Sequence, residues 1–209
     1  MSITIKELVE DVNLPSANIQ KVKWNTPIMS KKEGIYIVSL SENEEINKTM
    51  TEFPISMDIL KKWIKKLGHF TIDKEDTQDA NIIRNRLNEF WIPDENIIYI
   101  GKAPLRKNGG GIGKRVQEYY DTAIGERGPH AGGHWIKLLE CLNELHVFYI
   151  ECTDSAGVES KLLAAFGEQV STETKEKLST KGVILPFANL EDGKKLRKKH
   201  GLGHMKPSK

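Results

Sequence analysis

An apolar run, a glycine-rich basic turn and a helical pattern follow one another over residues 96–120, and this succession constrains the fold more than any other stretch. Residues 97–100 are strand formers without polar alternation, which predicts a strand buried on both faces. Arg115 and Tyr119 are four positions apart and would share one side of a helix. The stretch from Gly101 to Arg115 contains no acidic residue and five basic ones: Lys102, Arg106, Lys107, Lys114 and Arg115. The stretch therefore predicts a cationic, aromatic site suited to a phosphate.

Spacing tests whether this site is one of the glycine-rich nucleotide loops. A Walker loop needs Gly, four residues and then Gly-Lys-Ser/Thr, but Arg115 follows Gly113-Lys114 and Asn108 stands in place of the first glycine. The dinucleotide pattern also fails, because Lys114 occupies its last glycine position. A phosphate site here would therefore be built from cationic side chains rather than from a backbone cradle.

Composition narrows the class of protein. The chain has 209 residues and a hydrophobic fraction of 38%, which is enough for one substantial packed domain. Its 31 Lys and Arg against 29 Asp and Glu leave a net charge of +2, so any affinity for nucleic acid must come from the placement of charge. Cys141 and Cys152 form no C-x-x-C pair, and no run of 18 apolar residues is present. We therefore expect no zinc ribbon, disulfide scaffold or membrane span, and a cytoplasmic setting.

Two tripeptides and a basic helix carry a resemblance to a known family. Gly34-Ile35-Tyr36 opens an earlier apolar run, Tyr99-Ile100-Gly101 ends the second, and Gly-Lys-Arg-Val-x-x-Tyr-Tyr follows at residues 113–120. These marks resemble the GIY-YIG nuclease superfamily, in particular the nuclease domain of the bacterial excision-repair nuclease and the GIY-YIG restriction endonucleases. Two later marks of the family, a helical glutamate and a distal asparagine, are matched by Glu159 and Asn189. The resemblance covers discontinuous pieces from the first tripeptide to Asn189.

The resemblance implies a Mg²⁺-dependent DNA endonuclease, with Mn²⁺ as a substitute ion, acting in restriction, defence or repair. It gives seven expected site residues: Tyr36, Tyr99, Lys102, Arg115, Tyr119, Glu159 and Asn189. The tyrosines of the two tripeptides are the usual catalytic pair in the family. We assign proton acceptance to Tyr36 and positioning to Tyr99, and the reverse assignment stays open.

The chemistry of the remaining residues suits the implied roles. Glu159 is a hard oxygen ligand for Mg²⁺, and one carboxylate with waters and a substrate phosphate is an ordinary way to hold that ion. Arg115 can donate paired hydrogen bonds to a phosphate. Lys102 would favour the phenolate of a tyrosine, whose unperturbed pKa is about 10. By the same resemblance, Tyr119 takes a supporting role, and Asn189 orients a phosphate or the glutamate.

Each of these side chains also has an ordinary structural interpretation. Tyr36 is typical of a core aromatic residue, and Glu159 of a first-turn acid favoured by the helix dipole. The main alternative function is a nucleic-acid-binding module that keeps the fold but does not cut. A metabolic enzyme with a phosphate or sugar-phosphate substrate is a third hypothesis.

The predicted fold is a mixed α/β (α+β) domain with a small, mostly antiparallel central sheet flanked by helices. Residues 34–190 form the GIY-YIG-like domain, and a helical insertion over residues 41–95 separates its first two core strands. An extension, 1–33, precedes this domain. A basic tail, 191–209, follows it as either a disordered segment or an arm that binds a nucleic-acid backbone. A homodimer would be favoured if both strands of a palindrome are cut.

Local signals predict several elements. Strands are expected at residues 35–38, 97–100 and 145–152. In the insertion, one helix is expected between an N-cap at Ser56 and Gly68. A second is expected over residues 78–91, stopped by Pro93, and a short helix around residues 5–12 begins the chain. The lysine-rich face of the first insertion helix is either solvated or in contact with DNA.

Overall fold

The part of the chain described by the computed structural model, residues 3–107, 109–127 and 133–205, contains seven α-helices and seven strands. The helices are α1 Ile5–Asp11, α2 Met57–Leu67, α3 Ala80–Asn88, α4 Ile112–Asp121, α5 Gly133–Lys137, α6 Ser155–Gln169 and α7 Thr172–Leu178. The strands are β1 Gln20–Lys23, β2 Gly34–Ser39, β3 Thr71–Ile72, β4 Glu75–Asp76, β5 Ile97–Ala103, β6 His146–Glu151 and β7 Leu202–Gly203. The mixture confirms the predicted α+β class.

Four strands form a central sheet in the order β1-β6-β2-β5, and every neighbouring pair is antiparallel. The interior strands are β6 and β2, and all six residues of β2 are buried. Continuous apolar runs are what a strand covered on both faces requires. The three predicted strands are therefore confirmed as β2, β5 and β6. The sheet brings the two tripeptides side by side, because Tyr36 of β2 lies opposite Gly101 of β5.

The segment expected as an extension is built into the same core. It begins with the predicted short helix, α1, and β1 then pairs with β6 as a fourth strand. Further along, the Ser30 carbonyl accepts from the Gly113 N–H at 2.9 Å, and the Lys32 carbonyl accepts from the Ile112 N–H at 3.0 Å. A Cβ at Gly113 would lie 2.0 Å from the Ile28 carbonyl oxygen, so only glycine permits this approach. The backbone carbonyls of Ser30 and Lys32 thus accept the hydrogen bonds of N–H groups in the first turn of α4.

The insertion between β2 and β5 contains two helices and the β3–β4 hairpin. The first helix, α2, follows Ser56 and ends at Gly68 with φ of 68°, as predicted, although the Ser56 hydroxyl makes no capping hydrogen bond. The second, α3, is shorter than the predicted 78–91. Asp79 caps its start by accepting from the Asn81 N–H at 2.8 Å. The helix ends at Asn88, and Phe90 and Trp91, which follow it, are buried in the core.

Of the two alternatives for the basic tail, the disordered segment is wrong for residues 191–205, and the arm that binds a nucleic-acid backbone stays a prediction. In this segment β7 pairs with β3, and Lys198 is only 5% exposed. The Lys198 ammonium donates to the carbonyls of Pro186 and Phe187, at 2.6 and 2.8 Å. It also lies 5.8 Å from the ring centroids of Phe90 and Trp135. The carbonyls and rings offset part of the free-energy cost of burying the ammonium. The burial nevertheless lowers the pKa of Lys198 well below 10.5. Residues 206–209 lie outside the described part.

No helix in the described ranges is long and apolar enough to cross a membrane.

The buried Glu95 predicts a measurable pH dependence of stability. Burial, followed by the charge of Asp94, raises the pKa of Glu95 to about 8, and a backbone contact with Ile3 opposes the rise. The folded protein therefore keeps a proton that the unfolded chain, with a pKa near 4.5, releases. This contribution to stability is fully present below pH 4.5 and is lost as the pH rises through about 8.

Glu95→Gln should remove this loss, because the amide stays neutral. We expect the variant to exceed the parent in free energy of unfolding by roughly 1–3 kcal/mol at pH 9, with a smaller difference at pH 5. Urea unfolding at both pH values measures the difference. If the free energy of unfolding changes by the same amount between pH 5 and pH 9 in the parent and in the variant, the Glu95 carboxyl does not titrate as its burial implies.

Candidate active site

Six of the seven expected site residues converge from four elements of the fold. Tyr36 comes from β2, and Tyr99 and Lys102 come from β5. The remaining three lie on the two helices that pack on these strands: Arg115 and Tyr119 on α4, and Glu159 on α6. Because β2 and β5 are adjacent and both helices contact them, residues distant in sequence share one end of the sheet.

Three tyrosines form a triangle at the centre of this cluster. Their ring centroids are 5.8 Å apart for Tyr36 and Tyr99, 5.3 Å for Tyr99 and Tyr119, and 6.3 Å for Tyr36 and Tyr119. These separations are those of packed aromatic pairs. Trp24, from the segment before β2, packs against Tyr119 at 5.8 Å. Tyr36 and Tyr119 are buried, whereas Tyr99 reaches the surface in part.

Packing explains both glycines of the tripeptides. A Cβ at Gly101 would lie 2.6 Å from Cζ of Tyr36 and 2.6 Å from Cε1 of Tyr99. At Gly34, a Cβ would lie 2.2 Å from the carbonyl oxygen of Ile150 on β6. Neither position has room for a side chain. Glycine at 101 lets the rings of Tyr36 and Tyr99 pack over β5, and glycine at 34 lets β2 approach the backbone of β6.

A lysine and a glutamate pair at the edge of the cluster. The Lys102 ammonium lies 2.6 Å from Oε2 of Glu159, whose side chain is only 12% exposed. Oε1 of Glu159 makes no hydrogen bond or ion pair within the described part of the chain. The pair neutralises a nearly buried carboxylate and leaves one of its oxygens available to a ligand.

The helix-dipole interpretation of Glu159 is wrong. The first turn of α6 contains no acidic residue, because Glu159 belongs to the following turn. Other carboxylates serve the start of this helix: Asp154 accepts from the Gly157 N–H at 3.1 Å, and Glu33 accepts from the Ser155 N–H at 2.9 Å. Glu159 therefore interacts with Lys102 and not with the N-terminus of α6.

The surroundings of the phenols hold them in the protonated form. Burial raises the pKa of Tyr36 and Tyr119 well above 10 and that of Tyr99 to about 12. Tyr99 is partly exposed as a residue, but its hydroxyl lies in desolvated surroundings and near the charge of Glu159. The cation that lowers all three pKa values is Arg115. Lys102, which we expected in that role, contacts Glu159 instead.

Two polar atoms of the cluster lack regular hydrogen bonds to the described residues: the Tyr36 hydroxyl and Nε of Arg115. The Tyr36 and Tyr99 hydroxyls still influence each other, since the contact raises the pKa of Tyr36 and lowers that of Tyr99. Buried donors without partners are uncommon in folded proteins. The Tyr36 hydroxyl and Nε of Arg115 are therefore notable as buried polar atoms of the cluster that lack regular acceptors in the described part of the chain.

Asn189, the seventh expected site residue, makes structural contacts rather than joining the other six. Its Oδ1 accepts from the Ile100 N–H at 2.9 Å, and its Nδ2 donates to the Ile100 carbonyl at 2.7 Å. The neighbouring Ala188 N–H donates to the Ile98 carbonyl at 2.9 Å. The buried amide therefore takes the place of a further strand along the free edge of β5. Both halves of the amide are occupied, which does not fit the expected contact with a phosphate or with the glutamate.

Asn189→Ala should lower the free energy of unfolding by about 2–4 kcal/mol, since two buried backbone groups of Ile100 lose their partners. Asn43→Ala is a matched control, because the Asn43 side chain accepts one exposed hydrogen bond, from the Glu45 N–H at 2.8 Å. We expect the control to change stability by less than about 1 kcal/mol in urea unfolding. Equal losses in the two variants would contradict the strand-partner role.

Sequence reasoning counted Arg106 among the basic residues of the site but missed Glu118 and the pairing between the two. Arg106 pairs with Glu118, which also lies near Arg115. The spacing of Arg115 and Glu118, three residues apart on one helix, was a usable signal. Arg106 lies in a loop, where no periodicity indicates which way a side chain points.

No protein family, curated protein or solved structure compared with this chain matches it. The resemblance to the GIY-YIG nucleases therefore rests on the two tripeptides and on the residues that surround them. Within the described ranges, no group of three or more His, Cys, Asp or Glu side chains is placed to hold a metal ion. A Mg²⁺ ion at Glu159 would take its other ligands from water and from a substrate phosphate.

Proposed function

We propose that this chain is a Mg²⁺-dependent endonuclease that hydrolyses phosphodiester bonds in DNA, in restriction, defence or repair. The observation that supports the proposal is the convergence of Arg115 and the Lys102–Glu159 pair on the triangle of tyrosines. Phosphodiester hydrolysis needs charge relief at phosphorus, a proton acceptor for water and an ion at the leaving oxygen. The cluster contains a candidate for each requirement.

Arg115 is the candidate for charge relief at the phosphate. Its guanidinium influences all three phenols, and its buried Nε keeps a donor without a partner in the described part of the chain. A planar guanidinium matches two phosphate oxygens and keeps its charge at any working pH. A phosphate that reached the guanidinium of Arg115 would accept paired hydrogen bonds from it.

The phenols supply hydrogen-bond donors in the resting site. Because their pKa values lie above 10, Tyr36 and Tyr99 are protonated near neutral pH and can donate to a phosphate oxygen or to a water. Proton acceptance by Tyr36 requires loss of its own proton, which Arg115 favours and burial opposes. Additional positive charge next to the phenols would shift this balance towards the phenolate.

Glu159 is the candidate metal ligand, because its carboxylate has one oxygen on Lys102 and one oxygen open. A bound Mg²⁺ would polarise the phosphate and stabilise the departing oxygen. Lys102 limits the free-energy cost of keeping this carboxylate charged in a nearly buried position.

A second candidate function is a nucleic-acid-binding module that does not cut. The observation that favours it is the same ion pair, since Lys102 already satisfies one oxygen of the only carboxylate assigned to metal binding. The basic residues of the loop after β5 would then bind the nucleic-acid backbone, and no phosphodiester bond would be broken.

The two functions differ in their products. Purified protein is incubated with supercoiled plasmid, linear duplex, branched DNA and RNA, with Mg²⁺ or with EDTA, and both mobility shifts and new strand ends are followed. An endonuclease gives nicked or linear plasmid in Mg²⁺ only. Retarded DNA with no new ends in either condition would replace the proposal with the binding module.

A further inference from the structure

Two arginines share one carboxylate beside the tyrosine triangle. Arg106, in the loop after β5, donates to both oxygens of Glu118 on α4, with Nη1–Oε1 of 2.5 Å and Nη2–Oε2 of 2.8 Å. Arg115 lies one turn earlier on the same helix, and its Nη1 is 3.6 Å from the same Oε2. All three side chains are partly buried, with exposed fractions of 32% for Arg106, 28% for Glu118 and 23% for Arg115.

The two contacts differ in strength. A two-pronged pairing at 2.5 and 2.8 Å fixes the plane of the Glu118 carboxylate against Arg106. The contact of Glu118 with Arg115, at 3.6 Å, is longer than a hydrogen bond and acts through charge alone. The spacing of three residues on one helix brings Arg115 and Glu118 within reach of each other. In the structure Glu118 nevertheless contacts Arg106 more closely than Arg115.

This arrangement decides what Arg115 can offer to a ligand. The carboxylate lies near enough to attract one end of the guanidinium, and Nε remains buried without a partner in the described part of the chain. If Glu118 closed on Arg115, its negative charge would offset the positive charge of the guanidinium and its oxygens would occupy one pair of donors. If Glu118 were absent, the Arg115 side chain, which has several rotamers, would lose a charged neighbour that restricts its position.

We propose that Arg106 and Glu118 are positioning residues for Arg115. Glu118 orients the guanidinium over the three tyrosines, and Arg106 keeps Glu118 from neutralising it. The kinetic part of this inference rests on the proposed endonuclease function.

Single-turnover cleavage and DNA affinity test the proposal with three variants: Arg106→Gln, Glu118→Gln and the double variant. We expect Arg106→Gln to cut about 10-fold more slowly, because Glu118 then closes on Arg115. Glu118→Gln should cut about 3- to 10-fold more slowly while binding DNA at least as tightly, since a negative charge near the phosphate is removed. The double variant should cut faster than Arg106→Gln.

Arg197→Gln controls for loss of one positive charge, because Arg197 pairs with Glu191 on an exposed surface at 3.0 Å. We expect it to cut within about 2-fold of the parent. Two outcomes overturn the inference. One is a parent-like rate in Glu118→Gln. The other is a double variant that cuts no faster than Arg106→Gln, and weaker DNA binding by both variants would then identify Arg106 as a simple DNA contact.

Hydrogen exchange at Arg115 Nε separates this inference from the function on which it rests. The Nε–H signal, assigned by its loss in Arg115→Lys, should exchange slowly in the parent and at least about 10-fold faster in Glu118→Gln. This readout needs no cleavage. If the parent cuts no nucleic acid, the proposed function fails, and the exchange rates still decide whether Glu118 holds Arg115. Equal exchange in the parent and in Glu118→Gln would reject the positioning role.

Discussion

Glu159→Gln is expected to abolish metal-dependent cleavage, with a single-turnover rate about 10³-fold or more below that of the parent. The substitution preserves the size of the side chain but replaces a hard, charged ligand with a neutral amide. It also leaves Lys102 unpaired, which the fold tolerates because that side chain is 37% exposed and can be solvated. The melting temperature should therefore stay close to that of the parent.

Glu151→Gln is the matched control for the loss of a carboxylate. Glu151 ends β6 and pairs with Lys32 at 2.7 Å, as Glu159 pairs with Lys102, but it does not act on the three tyrosines. We expect this control to cut within about 2-fold of the parent. Parent-like cleavage by a well-folded Glu159→Gln protein would remove Glu159 from the site.

Arg115→Ala should slow cleavage by about 10²- to 10³-fold, the usual cost of removing a donor to developing charge. Arg115→Lys keeps the charge but loses the planar fork, so it should recover only part of the rate. The alanine variant should also titrate its buried phenols at higher pH, because Arg115 lowers the pKa of all three. Absorbance of tyrosinate against pH measures that shift.

The stability of Arg115→Ala distinguishes a chemical effect from loss of the fold. Glu118 keeps its two contacts with Arg106 in this variant, so we expect α4 to remain in place. A rate equal to that of the parent, or a slow rate accompanied by a large fall in melting temperature, would contradict the role given to Arg115.

The elements predicted correctly depend on local signals. The apolar runs of β2, β5 and β6 are long enough to specify strands without tertiary information. For α2, a serine at the start and Gly68 at the end define both limits, and the left-handed backbone at Gly68 needs glycine. The pairing of the two tripeptides then brings Tyr36 and Tyr99 together, because their strands are neighbours in one antiparallel sheet.

The errors concern residues whose role depends on distant partners. Lys198 stands in a basic run that is typical of a solvated tail, yet carbonyls and aromatic rings from three other segments bury it. Asn189 was expected to orient a phosphate or the glutamate, but Ile100 at the free edge of β5 uses both ends of its amide. Lys102 was expected beside a phenol, but the carboxylate of Glu159 attracts its ammonium. No local sequence pattern indicates which of these side chains contact each other.

The metal dependence of phosphodiester cleavage tests the central claim most directly. The folded parent is mixed in excess with end-labelled duplex DNA, Mg²⁺ is titrated from zero, and the rate of strand scission is recorded beside that of Glu159→Gln. The account predicts no scission in EDTA, a rate that rises and saturates with Mg²⁺ for the parent, and no recovery for the variant at any concentration. Scission by the parent in EDTA, or saturation curves that coincide for the two proteins, would contradict it.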